Sequence, residues 1–269
     1  ASMFKNEDNI VPLAAAMELL HMASLIHDDV VDEADTRRGQ ATINVLKNNR
    51  YAIHVGDYIL AEAIDIISKQ PNADRLLAIM GDLSAEMSLG EVEQLRSTYD
   101  VHQTVADYNY RIDRKTALLM ATSCQAAAVA SGASEDEINR FYQIGYNLGM
   151  DFQIKDDLLD MTLDSEKLGK PAGSDLARGI MTLPTILVLE KSFAERDELI
   201  NLIENRFPKG QDDVDRAIAI VLAQNGISDA EVYAEQYLKQ AEADIAALPD
   251  YPMKKVLLEG VDYLRERAF

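Results

Sequence analysis

Two short runs of carboxylates carry the strongest chemical signal in this chain. Asp28, Asp29 and Asp32 form D-D-V-V-D inside HMASLIHDDVVDEADTRRG, and Asp156, Asp157 and Asp160 repeat that spacing as D-D-L-L-D inside LGMDFQIKDDLLD. On an α-helix, positions four apart lie about 40° from each other and one turn along the axis. Carboxylates stacked this way repel by about 0.2–0.5 kcal/mol when exposed, and more beside the apolar residues 22–26. A cation removes the repulsion. Mg2+ suits the position, because it takes oxygen ligands, keeps waters, and is held by one or two carboxylates together with substrate phosphates. A single run of this kind reads first as a solvated acidic helix face. Two runs of identical spacing, each in an otherwise apolar helix, can face each other across a bundle, and six carboxylates around a cavity could hold several Mg2+ that grip a diphosphate.

Long helices are needed to hold such groups, and the composition favours them. The 269 residues include 13 Gly and 7 Pro and no Trp, so breakers are scarcer than the roughly 12% of average proteins. Ser134–Glu137 and Ser228–Glu231 have the form of capping boxes, with Thr104–Asp107 a weaker start of the same kind. The segment from Pro12 carries Leu13, Met17, Leu20 and Ser24 at helical spacing. Gly39, following Arg37 and Arg38, reads as a helix end with cations in its last turn. Residues 116–134 lack formal charge, but their Thr, Ser, Gln and many Ala suit the middle of a bundle better than a membrane. The densest cluster of breakers is Lys167–Asp175. These signals predict one all-α domain over residues 1–269, a large helical bundle.

Charge narrows the partners. With 26 Lys and Arg against 46 Asp and Glu, the net charge is −20, which gives no general attraction for nucleic acid or anionic membrane. An anionic substrate must be held by a few local cations or by metal. The one cysteine, Cys124, permits no internal disulfide and suits packing in a reducing compartment. A polar start, with no transmembrane segment, points to a cytoplasmic protein.

On these motifs the chain resembles the trans-prenyltransferases, the polyprenyl diphosphate synthases. The first aspartate-rich motif, D-D-x-x-D-x4-R-R-G, runs from Asp28 to Gly39, and the second from Phe152 and Gln153 to Asp160. Gly56-Asp57-Tyr58, Gly90-Glu91, Lys115-Thr116-Ala117, Gly169-Lys170-Pro171 and Thr182-Leu183-Pro184 stand in the family's order around them. The resemblance implies an all-α bundle of isoprenoid synthase type around a central cavity, with three Mg2+ bridging both motifs and an allylic diphosphate. It implies that Asp28 and Asp32 are metal ligands of the first motif and Asp156 and Asp160 of the second, with Asp29 and Asp157 completing or supporting the shells. Arg37, Lys115, Thr116, Gln153 and Lys170 would hold the allylic diphosphate, and Arg38 and His21 would contact isopentenyl diphosphate. The family's chemistry is ionisation of the allylic C–O bond, attack by the isopentenyl double bond, and loss of a proton to the released diphosphate. His27, His54 and His102 match no such role and read as structural.

The resemblance also implies a tunnel in which side chains just before the first motif form a floor. Ala23 and Ser24 stand there, and small residues leave room for a product of C30 to C50, a quinone side-chain precursor. A short-chain farnesyl or geranylgeranyl synthase, a class I terpene cyclase, and a non-catalytic subunit of a heteromeric synthase are the alternatives. The expected assembly is a homodimer, with membrane contact no more than peripheral, through the product. Two departures stand out: the family's Gly-Lys-Arg-x-Arg-Pro motif is missing before Asp28, so a further N-terminal segment is expected, and Ile180 takes the place of a lysine before Thr182.

Overall fold

The computed structural model describes residues 10–162, 172–252 and 254–266. Among these residues thirteen α-helices follow in order: α1 (Ile10–Val31), α2 (Ile43–Leu46), α3 (Asn49–Ser68), α4 (Ala73–Arg96), α5 (Val105–Ile112), α6 (Leu118–Ala130), α7 (Glu135–Thr162), α8 (Ser174–Ala177), α9 (Leu183–Leu189), α10 (Arg196–Glu204), α11 (Gln211–Ala223), α12 (Gly226–Ala246) and α13 (Lys254–Glu266). A π-helical segment, Asp113–Ala117, joins α5 to α6. Among the described residues the only strands are β1 (Thr36–Arg37) and β2 (Gln40–Ala41). The expected all-α class holds. The chain forms two compact units, Ala1–Leu83 with Thr122–Tyr142, and Ser84–Ala121 with Gln143–Phe269.

In the first unit, α1 lies along α3. The buried residues of α1 are Leu13, Ala16, Met17, Leu20 and Ala23, the i, i+3, i+4, i+7 stripe that turns one face of a helix inward. A leucine so buried contributes about 1.5–3 kcal/mol. The facing residues of α3 are small, Ala52, Gly56 and Ala63 among them, so the axes approach closely. A Cβ on Gly56 would stand 2.4 Å from His27 Nε2. His27 fills that space and meets Asp57 at 3.4 Å, the structural role the sequence suggests. By length and composition α1 is apolar enough to cross a membrane.

Two helix ends differ from their sequence signals. Arg37, Arg38 and Gly39 do not finish a helix: α1 stops at Val31, and Arg38 (φ 51°) and Gly39 (φ 77°) make the two-residue turn between β1 and β2. A hairpin this tight needs positive φ at both positions to follow the strands' twist, and cations before a glycine look the same in either setting. Ser228–Glu231 is not a capping box either. The helix α12 already begins at Gly226, and the Ser228 hydroxyl donates to Asn225 O at 3.1 Å. The other two boxes form as expected, Thr104 with Asp107 and Ser134 with Glu137.

The second unit is built around α9. Leu183, Pro184, Thr185, Ile186, Val188 and Leu189 are all buried there, and the helix lies against α5, α11 and α12. A helix buried on nearly every side must be uncharged, and this one is. Glycines let backbones meet elsewhere in the unit. A Cβ on Gly145 would fall 2.5 Å from Met120 O, one on Gly149 2.6 Å from Ala117 Cα, and one on Gly90 2.7 Å from Arg114 Cβ. Thus α4 and α7 both press on the π-helical segment and its continuation.

Candidate active site

The first carboxylate run closes α1. Asp29 is buried and accepts a hydrogen bond from Arg37 Nε at 2.7 Å, which ties the β-hairpin back to the helix end. Asn44 Nδ2 adds a contact to Asp29 O at 3.4 Å. Asp28 and Asp32 stay half-exposed, one turn apart. His21, seven residues before Asp28, falls on nearly the same face and is half-buried, whereas Arg38 is exposed at the hairpin turn. Of the floor residues, Ala23 is buried and Ser24 half-buried, its hydroxyl donating to His21 O at 2.8 Å.

The second run lies on α7. Asp157 is buried and receives two donors, Tyr108 Oη at 2.8 Å and Gln153 Nε2 at 2.8 Å. Burial, reinforced by the negative charge of Asp175, pushes its carboxyl up to about 7, against the pull of Gln153, Tyr108 and Arg111. Asp160 is buried too. Its oxygens accept from Ser174 Oγ at 2.8 Å and the Asp175 N–H at 3.0 Å, and its carbonyl accepts from Gly173 N at 2.7 Å. The carboxylate thereby anchors α8. Asp156 remains half-exposed. Within each triplet the aspartates are therefore not equivalent: the leading one is half-exposed and the middle one is buried.

Lys115 and Thr116 sit on the π-helical segment, whose extra residue per turn swings side chains off the ordinary helical spacing. Lys115 Nζ reaches Glu91 Oε1 and Gln94 Oε1, both at 3.1 Å. Three N–H donors leave it one for a phosphate oxygen. Thr116 Oγ1 meets Gln153 Oε1 at 2.5 Å. Lys170 lies outside the described residues, as do Gly169 and Pro171. Behind Asp157, buried Arg111 binds Gln103 Oε1 at 2.6 Å and Met181 O, and its guanidinium stands 5.5 Å from the Tyr108 ring centre. Neither Tyr108 nor Arg111 was indicated by the sequence. Tyr108 is 49 residues from Asp157, and no local pattern pairs them.

Among the described residues no three carboxylate, imidazole or thiol groups converge into a ready-made cage. Half-exposed Asp28, Asp32 and Asp156 are oxygen ligands, the donor type that Mg2+ takes. An all-helical chain with two D-D-x-x-D runs and a Lys-Thr pair on a π-helical segment belongs to the isoprenoid synthase class of helical proteins. The family model for polyprenyl synthetase matches residues 1–221. Heptaprenyl diphosphate synthase component 2 of Bacillus subtilis is 38% identical over 273 residues, covering 100% of this chain and 76% of its own. The crystal structure of heptaprenyl diphosphate synthase from Staphylococcus aureus superposes with a TM-score of 0.92 at 32% identity, over 100% of this chain and 84% of that one. A polyprenyl synthase from Caulobacter crescentus, solved with calcium and isoprenyl diphosphate, gives 0.91 at 31% identity over 99% and 81%. The chain belongs to the polyprenyl synthetase family, a family of prenyltransferases.

Proposed function

We propose that this enzyme condenses isopentenyl diphosphate with an allylic diphosphate, head to tail, to a trans-polyprenyl diphosphate of C30 to C50. The observation that carries the reading is the shared division of labour in the two aspartate runs. Asp28, Asp32 and Asp156 are half-exposed, while Asp29 and Asp157 are buried and held by Arg37, Tyr108 and Gln153. Asp28, Asp32 and Asp156 would hold Mg2+, three ions in all with substrate bound, and Asp160 would join them. Those ions supply charge that neutralises the departing diphosphate.

The protein's own groups do the rest. Lys115, steadied by Glu91 and Gln94, offers its third N–H to a diphosphate oxygen as negative charge grows there. Arg37 presents the half-exposed side of its guanidinium in the same role at the first run, and Lys170 is assigned alongside by its motif. His21 and Arg38 are assigned to isopentenyl diphosphate. Two of the relatives are named heptaprenyl diphosphate synthases, which supports a long product. The name "component 2" of the Bacillus relative supports a second reading, in which this chain works with a different subunit rather than as a homodimer.

Product analysis decides both. The purified chain alone, given farnesyl diphosphate, labelled isopentenyl diphosphate and Mg2+, should release polyprenyl diphosphates of six to ten isoprene units. Incorporation only when a second protein is added would establish the heteromeric reading. No incorporation under either condition would end the proposal. EDTA should abolish incorporation and excess Mg2+ restore it.

A further inference from the structure

We infer that residues 43–51, helix α2 and the start of α3, form a docking surface for an anionic phospholipid membrane. The chain between Asp35 and Asp57 holds Arg37, Arg38, Lys47 and Arg50 and no acidic residue, in a protein of net charge −20. Elsewhere cations are neutralised by the protein's own acids, as Arg75 is by Glu135 and Arg216 by Glu195 and Glu198. Lys47 and Arg50 are exposed and make no ion pair with any described residue. With Asn44, Asn48 and Asn49 they line an open cleft of about 640 Å³. Two of these amides are already engaged: Asn44 Nδ2 donates to Ala34 O at 3.2 Å, and Asn48 Oδ1 accepts from the Tyr51 N–H at 2.9 Å. The two cations are left for a ligand from outside, and a lipid phosphodiester is the anion that suits them.

Apolar side chains flank the cations in sequence. Val45 is 51% exposed, Leu46 65% and Tyr51 52%, and α2 buries none of its residues. Single exposed apolar residues are ordinary. Basic and apolar side chains interleaved over so short a stretch are the pattern of segments that lie in a headgroup layer. Charge selects lipid over a second copy of the chain: a patch with cations and no acids is not complementary to itself, as a two-fold contact requires. The net charge of −20 does not prevent contact. At physiological ionic strength charges are screened over about 8 Å, so acids on remote faces contribute little while cations at the surface act in full, and the excess of acid turns this face toward the bilayer. The surface is fastened to the first aspartate run, since Thr42 Oγ1 donates to Ala34 O at 2.6 Å and Asn44 Nδ2 reaches Asp29 O at 3.4 Å. Only the use of the surface rests on the reaction proposed above: a long polyprenyl tail released beside a bilayer enters it instead of water.

Vesicle flotation of the full chain, without substrate, is the test. The protein should float with phosphatidylcholine vesicles containing about one-third phosphatidylglycerol, and far less with phosphatidylcholine alone. Lys47→Gln should weaken partitioning about fivefold, and Lys47→Glu combined with Arg50→Glu should abolish it. Leu46→Asp should weaken it about tenfold through lost insertion. Lys255→Glu reverses a charge at a side chain 84% exposed on the other unit and should leave flotation unchanged. All these sites are on the surface, so melting temperatures should stay within about 2 °C of wild type. Flotation retained by the double variant, equal flotation with and without phosphatidylglycerol, or a loss that Lys255→Glu shares would overturn the inference. So would a chain that ignores vesicles but binds inorganic diphosphate through Lys47, or that pairs with a second copy through Leu46 in sedimentation. With farnesyl and isopentenyl diphosphates added, anionic vesicles should raise multiple-turnover rates in wild type and not in the double variant. Flotation by a chain that elongates nothing would keep the docking surface and remove the proposed reaction.

Discussion

Gly149→Ala should damage this enzyme far more than the addition of one methyl group suggests. The new Cβ would sit 2.6 Å from Ala117 Cα and 3.2 Å from Ala117 Cβ, where carbon atoms ordinarily stay about 3.5–4.0 Å apart. The helix α7 must therefore retreat from the 113–117 segment by about 1 Å. Overpacking of this kind costs about 1–3 kcal/mol, offset by the roughly 1 kcal/mol that alanine gains over glycine within a helix. The expected net loss is about 0–2 kcal/mol, a fall in melting temperature of up to roughly 8 °C for a chain of this size. The activity loss should be steeper. Gln153 is one turn beyond Gly149 and bonds Thr116 across this same contact at 2.5 Å. A 1 Å misplacement of positioning groups costs about 100-fold in rate. Gly81→Ala and Gly260→Ala are the controls, since nothing lies within 4 Å of a Cβ at either helical position. Each should raise stability by about 0.5–1 kcal/mol and leave kcat alone. Differential scanning fluorimetry and initial rates on the four proteins check the set. A Gly149→Ala protein with wild-type melting temperature and kcat within about threefold would show that the two backbones are not in contact.

Chain length gives a second test. Ser24→Phe should shift products toward shorter chains, read by chromatography of the dephosphorylated polyprenols; an unchanged distribution would remove the first helix from length control. Ala23→Phe should act in the same direction but also destabilise by about 1–3 kcal/mol, since Ala23 is buried. At the start of α5, Thr104→Ala should cost about 1 kcal/mol at neutral pH. The hydroxyl and N–H of Thr104 hold the Asp107 carboxyl below its ordinary range. That carboxylate therefore stabilises the fold above about pH 4, its unfolded value, and the contribution fades as pH falls through the lower folded value. The melting-temperature gap between Thr104→Ala and wild type should accordingly narrow below pH 4, and a gap constant with pH would contradict the cap.

The particular elements show where local reading works. Thr104 and Ser134 started helices as expected because an N-cap depends on residues within four positions of each other. Ser228 failed because Asn225 entered the helix one turn earlier, with a left-handed backbone that no composition rule anticipates. The hairpin at Arg38-Gly39 failed for a related reason: one dipeptide serves two kinds of chain reversal, and the β pairing that chooses between them lies outside it.

The sequence by itself determined the helical class and the family, and it singled out the carboxylates and cations proposed for the site, since residue type and near-neighbour spacing suffice for these. Residue type and charge alone do not tell Asp28 from Asp29 or Asp156 from Asp157; at the sequence level only the family resemblance gave them different roles. Tertiary structure separated them, by bringing Arg37 back onto Asp29 through a hairpin and Tyr108 onto Asp157 from 49 residues away. Whether a carboxylate faces water or is held by a buried donor depends on what packs over it. Packing joins residues distant in the chain, and it leaves no periodicity to read.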